Sequence, residues 1–458
     1  MQSAPFNISP PSDIMGGQPN RFAGGIAVTD RLAPAPWNVI EPDPDDRRYV
    51  IIHNCYTGAT FRLPKKEAGD PLGSGSSRRT LDFFRAEKLM VDPAKVAGML
   101  EERLFEIMRG MDGSVADAVL IPTHGCQLGC VYCFNAEVRK APGKKRAAAE
   151  AIAGRLTEFF AGTFAQTWRL KVTGGGEPML AFGYTLKIIR LVGSAARRHG
   201  RFFEAVLVSN GVSLTPSRAR KLLAAGVKSA QITLDPDHDK RRTLKNGKGT
   251  LEAILESIKA LPEEMRVKVI SNVSPGDEKA FARLMKKLKP LKGRIASISP
   301  GLISGKIPPA LPSANGKKMS RMYGPREIDV ILACHAAAEE AGFEAPLDMP
   351  RIICEAFMDS CHFSINFQGQ TAICPGLEGS PEFQERGRSR QELERLFDMR
   401  LASPQWKEHC YENQVPCPYL PKCWGGCRMI SVIQGAGWGA INCEKYMFER
   451  FTRHLMTK

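Results

Sequence analysis

The chain has 458 residues, 43% of them hydrophobic, and carries 64 Lys and Arg against 48 Asp and Glu, a formal net charge of +16. That length suffices for two or three domains with their own cores, and no stretch approaches the ~18 uninterrupted apolar residues of a membrane span. The charge favours an acidic partner, but no nucleic-acid-binding motif accompanies it, so nucleic acid is not an expected partner.

Residues 1–36 open with MQSAPFNISPPSDIMGGQPN. The Pro, Gly and Ser content predicts a flexible lead-in. A basic start followed by an apolar core is missing, so the segment does not read as a signal peptide and a cytoplasmic protein is expected. Residues 37–115 predict a small α+β module. RRYVIIHNCYTGATFRL reads as two short strands about an Asn54–Gly58 turn. LGSGSSRR is a loop, and DPAKVAGMLEERLFEIMRG is a helix with Val96, Met99, Leu100, Leu104 and Ile107 at helical spacing.

From Ala118 strands and helices alternate. The strands are AVLIPT, RLKVTGGGEP, AVLVSNG, SAQITLD, RVKVISNV and RIASISPG. The intervening helices include RAAAEAIAGRLTEFFAG, with Ile152, Leu156 and Phe159 on one face. Six such steps over residues 116–320 imply a parallel sheet with right-handed crossovers, and hence an α/β partial barrel of (β/α)6 type. Chemistry in such folds sits on loops after strand C-termini. Residues 321–458 begin with a helix near Pro325–Ala341, after which the alternation ends and the chain becomes short-segmented and cysteine-rich. The basic runs RKAPGKKR and KAFARLMKKLKPLKGR read first as solvated helix faces.

Thirteen cysteines need a reason. A long chain without an export signal makes metal or cluster ligation a better reading than a disulfide framework. THGCQLGCVYCFN holds Cys126, Cys130 and Cys133 with gaps of three and two residues. Structural zinc wants four protein ligands, and a remote fourth ligand would complete such a site. A cubane held by three thiolates instead leaves one iron open to an outside ligand.

The C-x3-C-x2-C spacing, in a loop after the first strand of a partial barrel, resembles the radical S-adenosylmethionine (SAM) superfamily. The resemblance implies a [4Fe-4S] cluster on Cys126, Cys130 and Cys133 whose open iron chelates SAM, and reductive cleavage to a 5'-deoxyadenosyl radical. It further implies SAM contacts from Tyr132, from Gly175, Gly176 and Glu177 of GGEP, from Ser209 and Asn210 of VSNG, and from Thr233 and Arg242 of QITLDPDHDKRR. In that family the glycines let backbone approach the methionine moiety, and the Glu177 position accepts from its ammonium. The chain departs from the family at Asp235-Pro236-Asp237, where Asp-Gly-Pro is usual, so a reshaped rim is expected there.

The C-terminal cysteines resemble the SPASM extension, which carries two auxiliary [4Fe-4S] clusters. By analogy Cys354, Cys361, Cys374 and Cys427 would ligate the first, and Cys410, Cys417, Cys423 and Cys443 the second. The family's cysteine three residues before Cys417 is Gln414 here, with Cys410 the nearest substitute. Zinc sites are the alternative, without suitable histidine pairs to support them. Cys55 and Cys334 read as small buried hydrophobes.

SPASM enzymes act mainly on peptides and proteins. The resemblance implies a peptide or protein substrate, an acidic precursor peptide fitting the charge, modified by a thioether or carbon–carbon crosslink. It also implies an electron donor such as flavodoxin or ferredoxin. Oxidation of Cys or Ser to formylglycine is disfavoured, because the acidic residue expected after Cys374 is Pro375. A non-enzymatic zinc or iron–sulfur protein is the remaining alternative. The hairpin and helix of residues ~40–112 are a possible peptide-recognition module.

Overall fold

The computed structural model describes residues 32–69, 78–110, 114–133, 135, 145–302, 311–312, 318–319, 324–346, 361–372, 374, 410–412, 415–427, 430–431, 434 and 441–456. The lead-in through residue 31, Cys354, Pro375 and Gln414 lie outside them, as does most of the run RKAPGKKR.

The N-terminal module has more strands than the hairpin expected: the short segments Ala33–Pro34 and Met90–Val91 pair antiparallel, and the hairpin gains a third strand. Strands β1 (Asn38–Pro42), β2 (Tyr49–Asn54) and β3 (Thr60–Pro64) form an antiparallel sheet in that order. Gly58, at φ +83, supplies the left-handed residue of the turn between β2 and β3. Helices α1 (Lys65–Gly69), α2 (Arg78–Ala86) and α3 (Val96–Gly110) follow. Val50, Ile52, Phe84, Leu89 and Met90 make a small separate core. The first strand was hard to read because NVIEP ends in proline and presents its partly buried side chains without clean alternation.

The barrel begins with β4 (Val115–Ile121), whose AVLI run is buried on both faces, as a parallel strand covered by helices should be. Then follow α4 (Ala149–Ala161), β5 (Thr167–Val172), α5 (Phe182–Arg198), β6 (Phe202–Ser209), α6 (Pro216–Ala224), β7 (Val227–Thr233), α7 (Leu251–Ala260), β8 (Arg266–Val273), α8 (Glu278–Leu288) and β9 (Ile295–Leu302). The six strands pair in parallel in chain order. Helix starts follow local chemistry: at α6, Pro216 occupies the first turn and the Thr215 side chain accepts from the Arg218 N–H. On α4 it is Phe160, not Phe159, that enters the core beside Ile152 and Leu156. A spacing of four repeats through all three residues, so they share the inner face.

Pro178–Arg198 is the one helical stretch among the described residues long and apolar enough by mean hydropathy to cross a membrane, although Lys187 and Arg190 interrupt its apolar run. Its Ile188, Ile189 and Val192 are fully buried against the barrel.

The C-terminal segment is not a separate appendage at its start. After α9 (Pro325–Glu340), strand β10 (Cys361–Asn366) adds in parallel to the outer edge of β4, and β11 (Thr371–Ala372) turns back antiparallel through Gly369. The eight-stranded order is β9-β8-β7-β6-β5-β4-β10-β11. Phe363 of β10 stacks on Phe159 with centroids 4.9 Å apart, and both pack half-buried against the barrel core. The Ala147 N–H donates to the Phe367 carbonyl at 2.8 Å.

Helices α10 (Leu420–Cys423) and α11 (Lys445–Met456) pack against the N-terminal module. Lys422 Nζ donates to His53 Nε2 at 2.7 Å, and Arg453 pairs with Glu41 at 2.7 Å. Trp37, Cys55 and Tyr56 belong to the same continuous core as Tyr419, Leu420 and Trp424. Cys55 and Cys334 are both buried and reduced.

If β10 is an integral strand, Ile365→Ala should destabilise the barrel itself by about 2–5 kcal/mol, since Ile365 is fully buried. Denaturant unfolding followed at the buried Trp168 of β5 checks this. A detachable hairpin would leave that transition unmoved.

Candidate active site

The loop after β4 carries the cysteine trio, and two neighbours hold it. On one side, the Glu177 N–H donates to the Gly125 carbonyl at 2.7 Å. On the other, residues 127–131 pair with residues 241–245. Gly129 N–H donates to Thr243 O at 2.9 Å, Val131 N–H to Arg241 O at 3.1 Å, and Lys245 N–H to Gln127 O at 3.1 Å, with a bridge between Leu128 and Leu244. Cys126 is buried, and Cys130 and Cys133 are half-buried. Among the described residues, no three Cys, His, Asp or Glu side chains stand as a ready-made metal site.

The GGEP turn explains its glycines by packing. A Cβ on Gly176 would lie 2.2 Å from the Gly125 carbonyl oxygen, and one on Gly175 would lie 2.6 Å from His124 Cδ2. The glycines admit the close approach of the cysteine loop. Glu177 is 1% exposed. Its Oε1 accepts from Ser209 Oγ at 2.8 Å and Met179 N–H at 3.0 Å, and its Oε2 from Asn210 N–H at 2.7 Å. Burial pushes the Glu177 carboxyl up, opposed by those hydrogen bonds and by Arg242. A carboxylate has about four lone-pair sites, so room for a further donor such as an ammonium is small but present. Asn210 Nδ2 donates to Cys126 Sγ at 3.8 Å, so the VSNG segment touches the trio directly. Gln127 Nε2 lies 3.3 Å from Asn210 Oδ1, and Gln127 Oε1 is buried without a partner.

Three side chains meet around Tyr132. Its hydroxyl bonds Asp235 Oδ2 and accepts from Arg242 Nη1 at 2.9 Å and Asn272 Nδ2 at 3.2 Å. Burial, then Asp235, raise the Tyr132 phenol. Burial works against the Arg242 charge, but Tyr132, Asp235 and Cys130 beside it outweigh that cost and hold the guanidinium above its ordinary value. Arg242 is 7% exposed, and its Nε has no hydrogen-bond partner. Thr233 ends β7, half-buried, at the same rim. The departure at Asp235-Pro236-Asp237 is accommodated by Asp237 in the left-handed region at φ +48, followed by one helical turn, His238–Arg241.

Three site-forming residues escaped the reading of the sequence: Asn272, His238 and Thr250. Asp235 N–H donates to His238 Nδ1 at 3.2 Å, so Nδ1 is the acceptor and Nε2 carries the proton toward Thr250 Oγ1 at 3.1 Å. The Thr250 hydroxyl in turn donates to the Arg242 carbonyl at 3.0 Å. Only Asn272 had a usable signal, its place at the C-terminal end of a barrel strand.

Among the C-terminal cysteines, Cys374, Cys410, Cys417, Cys423, Cys427 and Cys443 are half-buried thiols. The backbone of Cys361 is in β10, while Cys354 lies outside the described residues. Cys417, Cys423 and Cys443 share one neighbourhood. Burial, with Cys443 and Cys417 adding to it, pushes the Cys423 thiol up to about 12. The Cys417 N–H donates to the Cys410 carbonyl at 2.6 Å, closing the hairpin between them. Gly426 sits at φ +73, where a Cβ would lie 2.1 Å from the Asn442 carbonyl oxygen; this brings the chain after Cys423 against the residue before Cys443.

Residues 120–288 match the family model described as the radical SAM superfamily. No curated protein sequence matches the chain. The fold is similar to solved structures of anSMEcpe: the affinity-tagged protein with bound AdoMet has 16% identity, covers 75% of this chain and 98% of its own, and has a TM-score of 0.52. The native protein with bound AdoMet and Kp18Cys peptide has 17% identity, the same coverage and a TM-score of 0.51. SuiB from Streptococcus suis bound to S-adenosylmethionine has 11% identity, covers 90% of this chain and 99% of its own, and has a TM-score of 0.48.

Burial, then Arg242, hold the His238 imidazole down at about 4, with Asp239 opposing. A depressed histidine is neutral when folded and takes up a proton more readily when unfolded. Its contribution is therefore full above about pH 6.5 and lost as pH falls toward 4, roughly 3 kcal/mol in all. His238→Gln should flatten the stability-versus-pH curve between pH 6.5 and 4, measured by denaturant unfolding at each pH.

Proposed function

Because residues 120–288 are a radical SAM domain, we propose that the chain is a radical SAM enzyme that modifies a peptide or protein side chain or backbone, of the thioether or carbon–carbon crosslinking type. The observation that carries this reading is the trio loop, pinned between Gly176 and residues 241–245 with a buried, uncommitted Arg242 Nε beside it. The donor set fits the cofactors: three thiols for a [4Fe-4S] cluster, and a buried donor with no acceptor for a polar group of SAM. When bound, the cluster and SAM supply an electron and a 5'-deoxyadenosyl radical. The chain's own residues orient them: Asn210 at Cys126, Tyr132 and Arg242 at the loop's second half, and Glu177 beneath both Ser209 and Asn210.

The C-terminal cysteines would hold two auxiliary [4Fe-4S] clusters, with Cys417, Cys423 and Cys443 as the best-gathered part of the second. A flavodoxin or ferredoxin would deliver electrons, in a cytoplasmic setting.

A peptide substrate is supported by two things. In anSMEcpe, a protein of the same fold, a bound peptide accompanies AdoMet. In this chain, among the described residues, no strand covers the outer edge of β3. The bonds Asn54 N–H to Ala59 O and Lys65 N–H to Arg48 O set the alternation. They turn the peptide groups of Phe61 and Leu63 toward β2 and those of Thr60 and Arg62 outward. The other edge of this sheet, β1, packs on α11. An extended segment could therefore add to β3. Exposed Lys65 and Lys66 directly after the strand favour an acidic one.

Two variants test the reading. The triple alanine variant of Cys126, Cys130 and Cys133 should lose reductive SAM cleavage and keep its other iron; unchanged 5'-deoxyadenosine would sink the assignment. Arg62→Pro removes an outward N–H at an edge position, where proline is tolerated. With a short peptide encoded beside the gene, mass spectrometry should show modification falling on the order of tenfold, the effect of ~1.4 kcal/mol, while uncoupled SAM cleavage persists. Native modification by this variant would remove β3 from recognition.

A further inference from the structure

The Tyr132 hydroxyl has one proton and two lone pairs, and all three are used. Arg242 and the Asn272 amide can only donate to it, so the proton goes to Asp235. Asn272 also grips that carboxylate directly: its backbone N–H reaches Asp235 Oδ1 at 2.8 Å and its Nδ2 the same oxygen at 3.2 Å. Asp235 has no solvent exposure. The junction thus joins the ends of β7 and β8 to the residue just before Cys133 in the loop.

Its consequence lies in what it keeps apart. Arg242 Nη1 stands 3.9 Å from Asp235 Oδ2, too far for a direct hydrogen bond. The phenol bridges the gap instead. A buried guanidinium and a buried carboxylate this close would otherwise collapse into a direct pair, because each gains more from the other than from an apolar wall. Held off by the phenol, Arg242 keeps its Nε–H buried and without a partner. Leaving a buried donor unpaired costs about 1–3 kcal/mol; the Nε atoms of Arg103, Arg294 and Arg450 are also without a partner, but Arg242 alone of the four carries its free Nε beside the cysteine loop, bonded to Tyr132.

We infer that Asp235 and Asn272 are positioning residues for the cofactor: acting through the Tyr132 hydroxyl, they hold Arg242 away from Asp235 so that its Nε–H stays free for a polar group of SAM. The inference rests on the proposed function. The roles of Tyr132 and Arg242 as SAM neighbours belong to that reading, while Asp235 and Asn272 are the new assignments.

The test uses the full chain, reconstituted anaerobically, as wild type, Tyr132→Phe, Asn272→Ala and the double variant. Iron content, melting temperature, and kcat and KM for reductive SAM cleavage are measured for each. Each single variant should raise the KM for SAM on the order of tenfold while kcat stays within about threefold. The double variant should add no more than about twofold to Tyr132→Phe, because both remove the same junction. Native KM in both single variants overturns the inference, and so does a lowered melting temperature with native KM, which marks a structural role only. Loss of the trio's iron in step with KM also overturns it, since the junction would then hold the cluster and not Arg242. Absence of SAM cleavage in the wild type would instead refute the proposed function, leaving the two failures distinguishable.

Discussion

One close approach governs the site. The backbone at Gly176 lies so near Gly125 that no side chain fits between them, and the Glu177 N–H closes the contact onto the Gly125 carbonyl. This fixes the first half of the cysteine loop against the end of the second barrel strand. The second half is fixed by backbone pairing with residues 241–245, beyond the fourth strand. A loop whose chief fully buried apolar side chain is Leu128 has little core of its own, so its shape is imposed by neighbours that have one. Here those neighbours are the ends of parallel strands that send Trp168, Leu170, Val172, Val227, Ala230 and Ile232 into the core.

Burial then sets the electrostatics. Glu177, Asp235, His238 and Arg242 are all at most 7% exposed. None is left to bear its charge or polarity in an apolar wall alone, except for the Nε of Arg242. Glu177 is satisfied by Ser209, Met179 and Asn210, Asp235 by Tyr132 and Asn272, and His238 by Asp235 and Thr250. Such a network is costly to leave incomplete, so it specifies one arrangement of the strand ends. The N-terminal module is tied in by the same logic: the Lys422 ammonium, one residue before Cys423, is held by His53 of β2. A sheet whose outer strand has no strand beside it among the described residues, and whose central strand makes this contact, links the proposed peptide-binding edge to the cysteine-rich segment.

The barrel was legible because strand–helix alternation is a local signal, repeated six times, with apolar runs short enough to be strands. The trio was legible because thiol spacing is chemistry written in one dimension. What stayed hidden was non-local. Nothing in CHFSINF says that β10 pairs with β4, some 240 residues earlier in the chain. Phe159 and Phe160 are adjacent and identical, and nothing local announces that Phe159 stacks on Phe363 while Phe160 joins Ile152 and Leu156 in the core. The packing of the GGEP glycines was equally non-local: Gly175 and Gly176 lie so close to His124 and Gly125 that neither position admits a Cβ.

The central claim is that three thiolates in this held loop leave one iron of a cubane open for SAM. Mössbauer spectroscopy of the full chain reconstituted with ⁵⁷Fe, before and after adding SAM, measures that directly. The account predicts that a single iron site of one cluster changes its isomer shift when SAM is added, and that the change is absent when Cys126, Cys130 and Cys133 are alanine. A spectrum indifferent to SAM, or a trio occupied by zinc, would contradict it.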